Sequence, residues 1–268
     1  MSYYMCATCG VEYAESERPP EHCIICEDER QYVGANGQQW TVLDGLQREH
    51  HNVFTSLLPN LTSVVTEPKF GIGQRAHVVQ TTKGNVLWDC ISLIDDATVK
   101  QIQSMGGLTA IALSHPHYYS TIVEWSHAFG NIPIYIHSGD RDWVTRPDPV
   151  IQFWDGDMLA ISDGLTLIHC GGHFEGSSVL HWRDGAGGQG VLLTGDTIDV
   201  VSDSRYVSFM YSYPNLIPLP VHKIKHIVDS VKPFSFAKIY NAFGDITTEN
   251  GHDVVIKSAE RYIRALGG

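Results

Sequence analysis

Apolar and polar positions change in short blocks along most of the chain, and from about residue 60 onward the blocks read as strands interspersed with helices. Residues 63–66 and 76–82 carry strand patterns, and Gly84-Asn85 is a turn signal leading into a third at 86–91. Helical character follows over 95–105, with Asp95 or Asp96 near its start and Gly106-Gly107 at its end. Residues 108–113 are a short apolar run bounded by glycine and by Ser114-His115, which predicts a buried strand. A helix over 123–129 and a strand over 132–136 come next. Four further strands, 158–162, 165–170, 178–182 and 191–194, are separated by glycine-containing turns. A helix near 221–230, a strand over 237–240 and a terminal helix from about 253 to 266 complete the pattern. So many strands with helices between them predict a layered α/β fold, sheets packed together with helices outside.

The first 31 residues break that pattern and read as a separate small segment, with residues 32–268 as the main domain. Four of the six cysteines fall there, as Cys6 and Cys9, then Cys23 and Cys26. Two C-x2-C pairs in a reduced cell predict a tetrahedral four-cysteine metal site, with a disulfide pairing as the alternative. Gly10 suits the tight turn after Cys9. A segment this short needs its ion to fold. Zinc is the default, yet the knuckle also resembles rubredoxin, which holds iron. The other two cysteines, Cys90 and Cys170, sit alone in apolar stretches. A glycine- and glutamine-rich joint at 34–39 follows the ribbon.

Charge then removes several function classes. Lys plus Arg is 18 and Asp plus Glu is 30, a net charge of −12, which repels nucleic acid and acidic membranes. The acidic residues around the knuckle, Glu12 to Glu29 among them, argue against its use as a nucleic-acid ribbon. No run of 18 apolar residues exists to cross a membrane. The N-terminus carries no basic region followed by an apolar core, so the expectation is a cytoplasmic protein acting on a small molecule. Oligomeric state is left open.

Chemistry concentrates in three segments, each directly after a predicted strand. They are SHPHYYS at 114–120, GGHFEGS at 171–177 and LTGDT at 193–197. In extended chain, residues i and i+2 share a face, so His115 and His117 can present imidazoles to one point. With His173 and Asp196 they make a donor set of three imidazoles and a carboxylate, suited to Zn²⁺ or Fe²⁺. A single histidine more often satisfies a local hydrogen bond, and His50, His51, His127, His137, His169, His181, His222 and His226 are read that way. The ordered set at strand ends is what singles out the other three.

That set resembles the metallo-β-lactamase superfamily, an HxH followed by GGHxxGS and a GDT strand end, over about residues 60–268. Residues 86–90, with Trp88-Asp89, look like the early strand bearing that superfamily's structural aspartate. The resemblance implies an αβ/βα sandwich of four layers, here preceded by the four-cysteine ribbon. It also implies metal-assisted hydrolysis. The family's full motif is HxHxDH, and this chain has Tyr119 and Ser120 in place of its Asp and His. The family's last ligand falls in residues 238–246, where Phe243 stands in its place. Three second-site positions are lost together, which implies one catalytic ion, with Tyr119 and Phe243 filling the vacated space and His252 as a distant substitute ligand.

Losing the motif's Asp also removes the usual water-activating group. Tyr118, Tyr119, Asp199 and Glu175 are the nearby substitutes, whereas residues 140–143 read as a solvated turn. The expected function is a mononuclear metal hydrolase, with Asp196, Tyr119 and Tyr118 as catalytic residues. Metal-bound hydroxide would attack the carbonyl of a small ester, thioester, lactone or amide. The expected ions are one zinc at His115, His117, His173 and Asp196 and one in the ribbon, with iron as the alternative at either. Two other functions compete: an iron oxidoreductase resembling the superfamily's persulfide dioxygenases, and a catalytically silent binding module.

Overall fold

The computed structural model describes residues 1–243 and 249–267. Two compact units divide the chain, the first made of residues 1–136 and 141–153, the second of residues 137–140 and those from 154 onward.

In the first unit, seven strands lie side by side in chain order: His51–Leu58, Leu61–Glu67, Ala76–Val79, Val86–Trp88, Ala110–Ala112, Ile134–His137 and Ile151–Trp154. The first four pair antiparallel, while Val86–Trp88, Ala110–Ala112 and Ile134–His137 run parallel. A parallel pair needs a crossover, and helix Asp96–Ser104 supplies the first. Its N-cap is Asp95, whose side chain accepts from the Thr98 amide at 2.7 Å. Parallel pairing brings the carboxyl ends of neighbouring strands to one edge, which places Asp89 beside the segment that begins at Ser114.

The second unit holds a five-stranded sheet. Met158–Ser162, Leu165–His169, Ser178–Trp182 and Val191–Leu193 form an antiparallel meander, and Lys238–Tyr240 adds in parallel to the last. Helix Val221–Val231 buries Ile224, Ile227 and Val231, spaced three and four apart, in a core with Ile168, Leu192 and Phe236. Each such side chain contributes about 1.5–3 kcal/mol of apolar burial. The terminal helix, Gly251–Ala265, adds Val255 and Ala259 to that core.

The predicted elements are present with their ends shifted by a few residues. Two hairpins in the second unit lacked a sequence signal, Asp199–Val200 with Val207–Ser208 and Met210–Ser212 with Ile217–Pro218. In the first unit, His51–Leu58 was not anticipated either, because most of it is exposed or half-buried and it shows no clean alternation. Among the described residues, no helix is long and apolar enough to cross a membrane.

Candidate metal centres

Two C-x2-C turns bring the N-terminal cysteines together. Cys6 Sγ lies 3.5 Å from Cys26 Sγ, and Cys9 Sγ lies 3.6 Å from Cys23 Sγ. A disulfide bond would need about 2.0 Å. Four thiolates about 2.3 Å from one tetrahedral ion stand about 3.8 Å apart. The observed spacing thus fits an ion and not a covalent pairing. All four are buried. Gly10 closes the first turn at φ +85°, and a Cβ there would sit 2.3 Å from Ser92 Oγ, so only glycine fits. The Gln38 amide donates to Cys6 Sγ at 2.9 Å. Hydrogen bonds from Cys23 and Cys26 hold the Cys6 thiol well below its usual range, whereas burial pushes Cys9 up.

His115 and His117 follow strand Ala110–Ala112. His115 is extended, but Pro116 then starts a 3-10 turn, Pro116–Tyr118, so His117 is not on an extended chain as expected. Proline's fixed φ is what favours the turn. The two rings still converge, their centroids 4.9 Å apart. Asp89 sits at φ +60°, a region that short polar side chains tolerate best, and its Oδ1 accepts from the Ser114 amide at 2.7 Å. Ser114 Oγ in turn lies 2.8 Å from Nδ1 of His115, fixing that ring through Nδ1 and not through Nε2.

The loop carrying His173 is built by its glycines and by two anchors. Gly171 and Gly172 adopt φ +60° and +90°. Ser177 Oγ accepts from the Phe174 amide at 2.8 Å, and buried Asp140 accepts from the Gly176 amide at 2.7 Å. Asp140 is therefore no part of a solvated turn, as the sequence had suggested, but a support for this loop. His173 Nδ1 donates to the Met210 carbonyl at 3.3 Å, which fixes the ring and leaves Nε2 on its opposite side. That Nε2 lies 3.8 Å from Oδ2 of Asp196. Tyr213 holds Asp196 from its other side, donating its hydroxyl to the Asp196 carbonyl at 3.0 Å.

His115 and His117 are a candidate ligand pair in the first unit, and His173 and Asp196 are one in the second; all four are buried.

Other predicted residues fall differently. Tyr118 is buried and packs edge-on to His115, centroids 5.2 Å apart. Tyr119 lines a small cavity with Glu12, Val123 and Arg146. Glu175 is an exposed partner of Lys223, at 3.2 Å. Asp199 accepts from the Asn241 amide; burial and the Asp196 charge push its pKa to about 6. Phe243 is 46 % exposed, so it does not fill a buried space left by a second ion. The rest of the stretch read as the family's last ligand, residues 244–246, lies outside the described residues. His252 sits 2.9 Å from the Lys232 carbonyl and is not a member of the donor group. The histidines read as local bonding partners include His181, 2.9 Å from the Ser235 carbonyl, and His169, 2.7 Å from that of Glu175. Sequence reasoning missed Tyr213, Met210 and Asn241. Each sits in or beside irregular chain where no periodicity marks it.

Comparison with known proteins gives both a family and a fold. The uncharacterized protein YmaE of Bacillus subtilis (strain 168) is 52% identical over 268 residues, covering 99% of this chain and 97% of YmaE. The chain belongs to the YmaE family. No family model matches it. Among solved structures, the metallo-β-lactamase FIM-1 of Pseudomonas aeruginosa, in its mono-zinc form, superposes with a TM-score of 0.57 at 14% identity, over 79% of this chain and 96% of that one. The metallo-β-lactamase of Hirschia baltica gives 0.53 at 16% identity, over 79% and 97%. SMB-1, another metallo-β-lactamase, gives 0.55 at 16% identity, over 80% and 95%. The fold is that of the metallo-β-lactamases, preceded by the four-cysteine cluster, as the motifs implied.

Proposed function

We propose that this protein is a metal-dependent hydrolase with a mononuclear site formed by His115, His117, His173 and Asp196, and a structural zinc in the cysteine knuckle. The observation that carries the reading is the His173–Asp196 pair. With Nδ1 committed to the Met210 carbonyl, the His173 ring turns Nε2 toward a carboxylate oxygen 3.8 Å away, an arrangement that a cation between them makes favourable. Three imidazoles and one carboxylate fit zinc, which takes nitrogen and oxygen donors in this number.

Such an ion, when bound, acidifies water and polarises a carbonyl. The chain's own residues do the rest. Ser114 and the Met210 carbonyl hold two imidazoles in the orientation that presents Nε2. Tyr213 fixes the backbone under Asp196. Asp199, whose carboxyl burial and the Asp196 charge raise to about 6, takes up a proton near neutral pH. The expected substrate is a small, neutral or weakly charged ester, thioester, lactone or amide, consistent with the net charge of −12.

Purified full-length protein, loaded in turn with zinc, manganese and iron, is assayed on a panel of those four substrate classes. Turnover that vanishes in His115→Ala and His173→Ala supports the reading. Inertness across the panel with every metal contradicts it. A red protein with thiolate-to-iron absorption and oxygen uptake favours the iron oxidoreductase instead.

A further inference from the structure

We propose that Gln74 is a positioning residue that transmits the order of the four-cysteine knuckle to the metal-ligand loop carrying His117. This rests on the reading above that the His/Asp group holds an ion. Gln74 is buried, just before strand Ala76–Val79, and its amide nitrogen lies between two backbone carbonyls. It donates one hydrogen to the His117 carbonyl at 3.2 Å and the other to the Cys9 carbonyl at 3.4 Å. A single side-chain group thus spans a predicted ligand of each centre.

Two further links run alongside it. Ser92 donates its hydroxyl to the Gly10 carbonyl at 2.8 Å, and its own carbonyl accepts from the Thr121 hydroxyl at 2.9 Å. The Glu12 amide donates to the Ser120 carbonyl at 3.1 Å. Residues 9, 10 and 12 of the knuckle are therefore tied in sequence to residues 117, 121 and 120. Space is tight as well: a Cβ on Gly71 would come within 3.3 Å of the Cys9 backbone. A segment of this size builds little core of its own, and the shape of its two turns rests on what the four thiols share. Loss of that ion, or oxidation of the thiols, lets residues 9–12 move, removes one acceptor of Gln74 and loosens the chain around His117. The knuckle is in this sense a support for the second centre, and the bond that makes it so is the Gln74 amide.

The test uses the full chain and zinc. Competition with a chromogenic chelator gives the number of ions and their affinities in wild type, Gln74→Glu and Cys26→Ser; hydrogen exchange reads the amides of residues 114–121. Gln74→Glu keeps the shape but sets a carboxylate against two carbonyl oxygens. It is expected to keep the knuckle ion, weaken the second by about 10–100-fold, and speed exchange over 114–121. Cys26→Ser, whose altered side chain is not the one Gln74 contacts, is expected to lose the knuckle ion and weaken the second similarly. Should Cys26→Ser fail to fold, Gln74→Glu decides alone. A second ion bound at wild-type affinity in Gln74→Glu, with unchanged exchange, overturns the proposal. A wild type that binds one ion only, at the cysteines, overturns the metal-site reading instead, and the exchange rates then decide whether the support exists.

Discussion

Glu12 lies between the two cysteine pairs, 2 % exposed, and accepts from Arg146, which also bonds Glu124 at 2.6 Å and stacks on Tyr3. Burial pushes its pKa from 4.5 to about 7, outweighing the pull of Arg146, with the Glu124 charge adding to the rise. The folded state therefore binds a proton that the unfolded chain has already released over this range. Stability from this group is fully present below pH 4.5 and is lost as pH rises through about 7. At roughly 1.4 kcal/mol per pH unit the whole effect is about 3 kcal/mol, of which about 2–3 kcal/mol falls between pH 5 and 8. Glu12→Gln keeps the shape and an acceptor for Arg146 but removes the titration. Urea denaturation of both proteins at pH 5 and pH 8 measures it. Wild type should lose about 2–3 kcal/mol relative to the variant on going to the higher pH. Parallel profiles, or a wild type that gains on the variant as pH rises, would refute the claim that burial outweighs the ion pair.

Further outcomes follow from the same contacts. Asp140→Ala leaves the Gly176 amide without its carboxylate, costing about 1.5–3 kcal/mol in chemical denaturation and weakening zinc binding at the His173 loop. Tyr213→Phe removes the hydroxyl bond to Asp196 and should cost about 0.5–1.5 kcal/mol by the same measurement, with turnover lowered and not abolished. Ile227→Ala opens a cavity in the fully buried core under helix Val221–Val231 and is expected to cost about 2–5 kcal/mol by urea titration. Asp199→Asn should flatten the acid limb of the pH–rate profile near pH 6, and an unchanged profile would remove Asp199 from proton handling.

Much of the site was legible because its donors sit where strands end, and the strands announce themselves. Val191–Leu193 and Leu165–His169 are uninterrupted or alternating apolar runs, so the glycines and polar residues after them mark loops. The paired cysteines were legible from spacing alone. What supports the donors was not. Asp140 lies far in sequence from Gly176, and Tyr213 far from Asp196, so no local pattern ties either pair together. The turn at Pro116 shows the other limit: alternation predicted convergence of His115 and His117 for an extended chain, and the convergence came instead from a helical turn. The exposure of Phe243 shows that a residue aligned with a lost ligand need not occupy its space.

Anomalous diffraction from zinc-grown crystals of the full chain, collected above and below the zinc edge, tests the central claim most directly. The account predicts two peaks, one among Cys6, Cys9, Cys23 and Cys26, the other bonded to His115, His117, His173 and Asp196. A single peak at the cysteines, with the four other side chains holding no ion, would contradict it.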